Sequence, residues 1–332
     1  MIIGLGAAAA SFARYINSST SVLIIESRAI PRDKPCSGIL ASLAHDYLRE
    51  NGVPEYVFEE PRLLDVEYLD WDNNTSKFAK KSYYNTDRKK LDLWLSESAL
   101  KKRNIHVVDN ASFIDFIKVD PTLIKVIIQK DNELSSIIGR YLIGCDGALS
   151  TVRRKIIKTD IPYYLATKQM AKNNGLINSP KFIFDKEISD YYSWIIPKGD
   201  YIEVGAGVNL ESPREKFNLF VSKVEKKYNL EVFGEIQSAV VLRPRNEKDI
   251  FLGKNNIFIC GEAAGLITPS GAEGISFALL SGKYAAEALN EKFVDALSLY
   301  ERKCEFLKNR LRPKFEKAKV ISDPQLRKKL FE

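Results

Sequence analysis

Met1-Ile-Ile-Gly4-Leu-Gly6-Ala-Ala8-Ala9-Ala-Ser-Phe-Ala-Arg-Tyr15-Ile-Asn-Ser-Ser-Thr-Ser21-Val-Leu-Ile-Ile-Glu26 opens the chain. Met1 to Ile3 reads as the end of an apolar strand, and Gly4 opens a turn. Ala7 to Tyr15 is a helix of small residues, and Ser21 to Glu26 is a buried second strand. Strand, tight turn, helix and strand make the βαβ half of a dinucleotide-binding fold. In Gly4-x-Gly6-x-x-Ala9 the first glycine makes the turn and the second lets backbone approach a pyrophosphate. The third position sets helix–strand packing, where alanine is tolerated. Glu26 ends the second strand where such folds place a carboxylate for a ribose hydroxyl. The glycine spacing alone is a weak signal and also fits a generic βα turn; the ordered elements and terminal Glu26 strengthen it. Only three residues precede Gly4, fewer than strands usually have, so the expectation is a trimmed start or an upstream sequence that completes the strand.

The partner of this half lies at the other end, in Ile257-Phe-Ile-Cys-Gly261-Glu262-Ala-Ala-Gly265-Leu-Ile-Thr-Pro269-Ser-Gly271-Ala-Glu273-Gly274-Ile275 and on to Gly282. A short apolar strand runs into Glu262, then small residues, a Pro/Gly turn and a helix opening over Gly271 to Ile275. Bare backbone lets a bulky ligand lie against it, and helix-start N–H groups face negative charge. With Glu262 positioned to accept from hydroxyls, this reads as a cradle for the ribityl-pyrophosphate of a flavin.

A chain of 332 residues exceeds the usual limit of one core, so two lobes are expected. Apolar content of 45% and charged content of 28% are those of a globular protein. No apolar run approaches bilayer length and no secretory signal precedes the first motif. Cys36, Cys145, Cys260 and Cys304 are scattered, which favours reduced thiols and a cytoplasmic setting. His45 and His106 stand apart, so no metal site is expected. The net charge of +7 is spread along the chain, and no nucleic-acid partner is expected. Arg302 to Lys329 is locally basic; it suits peripheral contact with anionic lipid, and equally a solvated terminal helix.

Between the two ends, Arg32-Asp-Lys34-Pro-Cys36-Ser37-Gly38 is a loop, and Arg62 to Tyr84 reads as strands of a second lobe. Arg88 to Ala99 is a helix burying Leu91, Trp94, Leu95 and Ala99. Strands follow at 105–108, 111–116 and 123–129, then the apolar Tyr141 to Cys145 ending in Asp146-Gly147. Ser150 and Arg153 lie on a short helix. Lys155 to Leu242 has β character, with strands at 181–184, 192–196 and 201–208 and a helix over 212–228 capped by Ser212-Pro213. The expected fold is α/β: a discontinuous Rossmann-like domain over 1–61, 85–154 and 246–290. An antiparallel β-sheet substrate domain over 62–84 and 155–245 is inserted into it, and a helical tail occupies 291–332.

Four ordered blocks carry a family resemblance: Gly4-x-Gly6 with Glu26; Lys34-Pro-Cys36-Ser-Gly38; Arg88 with Asp92, then Cys145-Asp146-Gly147-Ala-x-Ser150-x-x-Arg153; and Gly261-Glu262-Ala-Ala-Gly265 with Pro269, Gly271 and Glu273-Gly274-Ile275. With Tyr192-Ser-Trp194-Ile-Ile-Pro197-Lys198, the chain resembles the geranylgeranyl reductase family of FAD-dependent oxidoreductases, within the p-hydroxybenzoate hydroxylase-like flavoproteins. The resemblance implies an FAD-binding domain and FAD as cofactor, held by Gly4, Gly6, Ala8, Ala9, Glu26, Ser27, Cys36, Ser37, Gly38, Arg88, Phe113, Asp146, Gly147, Gly261, Glu262, Gly271, Gly274 and Ile275. In it Glu26 takes the adenosine ribose, Arg88 the pyrophosphate and ribityl chain, and Phe113 the adenine through its backbone. Glu262, Gly274 and Ile275 hold the ribityl chain and pyrimidine edge. The family usually has Asp at Glu262 and Gly at Ala9 and Ser37.

The resemblance further implies hydride delivery from reduced FAD to a C=C bond of a prenyl or similar lipophilic substrate, with NADPH or an electron-carrier protein as reductant. Cys36 is the candidate catalytic group, as a proton donor; its plain alternative is a small loop residue whose backbone meets the cofactor. Tyr192, Trp194 and Pro269 are candidates for the substrate pocket; sheet packing explains the two aromatics nearly as well. Glu273 suits catalysis or a helix dipole. A flavin monooxygenase or halogenase of the same superfamily is the alternative activity, and a non-catalytic flavin-binding relative is a second.

Overall fold

The computed structural model describes residues 1–30 and 34–331; Arg32 and Asp33 of the loop quoted above lie outside the described residues. Ile2–Ile3 is the centre of a sheet in the order Gly253–Lys254, Ile257–Ile259, Leu142–Gly144, Ile2–Ile3, Val22–Ile25, Ile105–Val108. All neighbours run parallel except the hairpin of the first two strands. The parallel strands read as near-continuous Ile, Leu and Val because helices cover the sheet. Helices Ala7–Tyr15 and Ile275–Glu291 pack tightly on each other. Ser11 Oγ donates to Leu279 O at 2.6 Å, and a Cβ at Gly282 would stand 2.0 Å from Ala8 O. A three-stranded antiparallel sheet of Ala111–Lys118, Ile124–Lys130 and Glu133–Gly139 stands beside it.

The inserted sheet has eight strands in the order Val232–Leu242, Tyr163–Lys172, Tyr201–Val208, Ser193–Lys198, Lys181–Phe184, Phe58–Asp70, Thr75–Thr86, Ile39–Leu40. It is antiparallel except where Lys181–Phe184 runs parallel to Phe58–Asp70. Helix Pro213–Tyr228 buries Phe217, Phe220 and Val224 on it. Ser212 does not cap that helix: its backbone is left-handed (φ 50°) and its side chain makes no capping bond, so Pro213 alone sets the start. Tyr163–Lys172 and Val232–Leu242 are strands within the segment expected to be β, and Glu133–Gly139 is a strand where none was expected. The helical C-terminal region consists of Ala296–Ser322 and Pro324–Phe331. Parallel nucleotide-type sheet, inserted sheet and helical tail together are the α/β architecture expected from the sequence. Among the described residues no helix is long and apolar enough to cross a membrane.

Candidate functional site

One cavity of about 900 Å³ runs from the carboxyl ends of the parallel strands to the face of the inserted sheet. That is where open α/β sheets receive ligands. Its cradle end is lined by Gly4, Gly6, Ala8, Glu26, Ser27, Cys36, Ser37, Arg88, Phe113, Asp146, Gly147, Gly261, Glu262, Gly271, Gly274 and Ile275, and Tyr192 and Trp194 line its chamber end. Residues some 270 apart in sequence thus share one wall. Ala9, Gly38 and Pro269 do not line it. Ala9 is fully buried, and Pro269 is buried in its turn. Gly38 is pressed on the neighbouring strand, where a Cβ would meet Thr86 O at 2.0 Å.

Gly4 takes φ 88°, and a Cβ there would lie 2.6 Å from Cys145 O, so the turn tolerates only glycine. Glu26 is 4% exposed; Oε2 accepts from Leu5 N at 2.7 Å and Oε1 from Arg28 N at 3.1 Å and Ser27 Oγ at 3.3 Å. Its carboxylate therefore braces the glycine turn while facing the cavity. Asp146 caps the helix Thr151–Ile156: Ser150 Oγ donates to Oδ1 at 2.6 Å, and Thr151 N and Val152 N to Oδ2 at 2.7 and 3.1 Å. Burial raises its proton affinity, against those donors. Glu262 Oε1 accepts from Leu242 N at 2.9 Å, and Oε2 lies 3.6 Å from Lys34 Nζ. The carboxylate expected to be a ribityl contact ties the cradle to the inserted sheet.

Arg88 donates from Nε to Asp92 Oδ1 at 2.9 Å. Burial works against its charge, but the Asp92 carboxylate holds the guanidinium protonated above its ordinary range. Cys36 Sγ accepts from Gly38 N at 3.4 Å. The open backbone fits a flat, charged cofactor: nothing stands within 4 Å of where a Gly147 Cβ would project. The first-turn N–H groups of helix Ile275–Glu291 have no partner within that helix.

The chamber end is walled by Tyr68, Tyr83, Phe182, Phe184, Tyr191 and Val240, and closed by Ile321, Leu330 and Phe331 of the tail. Tyr192 OH donates to Gly271 O at 2.9 Å, joining the inserted sheet to the cradle turn. Glu273 accepts from Ser276 Oγ at 3.1 Å, and burial raises its proton affinity, opposed by Lys314 and Arg310. Lys168 is a wall residue that sequence reasoning missed. Its signal was period two: Tyr164, Ala166 and Lys168, alternate residues of one strand, all face the cavity.

No model of a known protein family matches the chain. Among solved structures it resembles a geranylgeranyl bacteriochlorophyll reductase-like protein from Thermoplasma acidophilum with a TM-score of 0.84 at 18% identity, over 99% of this chain and 89% of that one. The p-nitrophenol 4-monooxygenase PnpA of Pseudomonas putida DLL-E4 gives 0.76 at 16% identity, over 99% and 90%. The flavin-dependent halogenase CmlS gives 0.74 at 17%, over 100% and 70%. The reductase-like, monooxygenase and halogenase neighbours share this fold. Protein CbrA of Shigella sonnei (strain Ss046) is 29% identical over 98% of this chain and 94% of its own length. Protein CbrA of Escherichia coli O9:H4 (strain HS) is 30% identical over 335 aligned residues, 98% of this chain and 91% of the relative. The chain belongs to the protein CbrA family.

Proposed function

We propose that the protein is an FAD-dependent oxidoreductase of the geranylgeranyl reductase type, reducing C=C bonds of a prenyl or similar lipophilic substrate. The observation that carries this reading is the single cavity that joins a bare-backbone cradle to an aromatic chamber. FAD, when bound, supplies the hydride. Gly4, Gly6 and the start of helix Ala7–Tyr15 take the pyrophosphate, Arg88 neutralises charge beside it, and Gly274 and Ile275 present backbone N–H groups to the ring edge. Phe182, Phe184, Tyr192 and Trp194 exclude water and orient an apolar chain. Cys36, between cradle and chamber, holds the proton that completes saturation at its Sγ. NADPH or an electron-carrier protein is the reductant, and the basic tail is the surface for peripheral membrane contact.

Anaerobic incubation of the reduced protein with prenyl alcohols, followed by mass spectrometry, is expected to give products heavier by whole two-hydrogen increments. Oxygen-dependent consumption of NAD(P)H with a hydroxylated or halogenated product would replace this reading with that of a monooxygenase or halogenase. A colourless protein that takes up no added FAD would replace it with that of a non-catalytic relative.

A further inference from the structure

Lys168 and Glu203 form an ion pair in the wall where cradle and chamber meet. Nζ lies 2.8 Å from Oε2, and the side chains are 17% and 3% exposed. The other carboxylate oxygen accepts from the Trp194 indole Nε1 at 2.8 Å. Lys168 also donates to the backbone oxygen of Cys36 at 3.2 Å, reaching across 132 residues of sequence. Register builds this cluster: Lys168 stands opposite Gly205, and Gly205 opposite Trp194. A Cβ on Gly205 would lie 2.2 Å from the Trp194 ring, so the indole crosses that strand only because Gly205 is bare.

The far side of the same loop is fastened too. Thr86 holds Gly38 O through N at 3.0 Å and Oγ1 at 2.6 Å. Lys198 in turn bonds Thr86 O at 3.1 Å and Asn85 Oδ1 at 2.6 Å. Cys36, Arg88, Lys168 and Tyr192 line the same cavity, with Lys198 behind the loop on Thr86 O; Asp92 and Glu203 pair with Arg88 and Lys168. A buried ion pair costs desolvation and is a weak source of stability. This one is explained by what it grips.

We infer that Lys168, oriented by Glu203, is a positioning residue: it seats the Cys36–Gly38 loop on the inserted sheet and turns the ammonium end of the Lys168–Glu203 pair toward the flavin side of the cavity. The second half rests on the proposed flavin reading; the first does not.

Hydrogen exchange followed by mass spectrometry on the full, FAD-free chain tests the seating. In Lys168→Met, amides of residues 36–39 are expected to exchange at least tenfold faster, with native rates in the parallel-sheet strands and near-native loop rates in Lys168→Arg. Glu203→Gln, which keeps a partner for Trp194, is expected to fall between and serves should Lys168→Met not fold. Native loop exchange in both Lys168→Met and Glu203→Gln, or equal acceleration throughout both lobes, overturns the inference. With FAD bound, the flavin midpoint potential is expected to fall in Lys168→Met and return in Lys168→Arg, because a nearby cation favours the more negative reduced ring. An unchanged potential alongside a loosened loop overturns the flavin half alone. Failure of the unmutated protein to bind FAD, with a loosened loop in Lys168→Met, refutes the proposed function and that flavin half, and leaves the seating standing.

Discussion

Glu262 bridges two parts of the molecule: its Oε1 takes the N–H of Leu242 in the inserted sheet while the residue faces the cradle. Glu262→Asp shortens the reach by one methylene and leaves that buried N–H without its acceptor. Loss of about 1–2 kcal/mol is expected in urea denaturation. Gly205→Ala pushes the Trp194 ring off Glu203 and is expected to cost about 1–3 kcal/mol, with a change in tryptophan emission. Glu273 gives a pH signature. Burial raises its folded value above the ordinary 4.5, so its contribution is complete below that value and is lost as pH rises through the folded value. Stability profiles of Glu273→Gln are expected to decline less over that window. At this scale the cradle was legible because glycine spacing is local, as at Gly4, Gly6 and Gly274. The Lys168–Glu203–Cys36 grip was not, because register alone joins three distant segments.

Helix Pro324–Phe331 is tied to the inserted sheet through Arg327. Arg327, 2% exposed, donates to Asp70 Oδ2 at 2.8 Å and Oδ1 at 3.0 Å, to Ile321 O at 2.6 Å, and to Asp72. Lys77 Nζ reaches Leu330 O at 2.9 Å, and Leu330 and Phe331 close the chamber. Arg327→Met strands two carboxylates; a loss of about 3–5 kcal/mol is expected, with early exchange of residues 324–331. Burial opposes the Asp70 charge, but Arg327 and Asn73 bring its proton affinity below the ordinary range. Its contribution is therefore present above the usual carboxylate value and lost as pH falls through the folded one, so acid is expected to release this helix in native protein. The sequence placed a helical tail here but gave no sign that an arginine within it would be buried. Strand Val232–Leu242 escaped notice for a related reason: it is an edge strand, exposed over most of its length, and shows no apolar alternation.

At the scale of the molecule, two lobes share one cavity because the nucleotide-type domain is interrupted and resumed. Ile257–Ile259 returns beside Leu142–Gly144 and delivers Gly261 and Glu262 to the turn begun at Gly4. The α/β class and the inserted sheet were legible from apolar runs and turn residues, since each run is local. The partition of the cavity was not, since the chamber wall is drawn from five strands and the tail. Under the proposed function, reduced flavin in this cavity passes hydride to a carbon–carbon double bond. Stopped-flow absorbance of the FAD-loaded, dithionite-reduced protein mixed anaerobically with geranylgeraniol tests it most directly. Reoxidation of the flavin without oxygen, slowed at least tenfold in Cys36→Ala, is the expected result. A flavin that stays reduced with every prenyl alcohol offered, yet reoxidises at once in air with oxygenation of an added substrate, would contradict it.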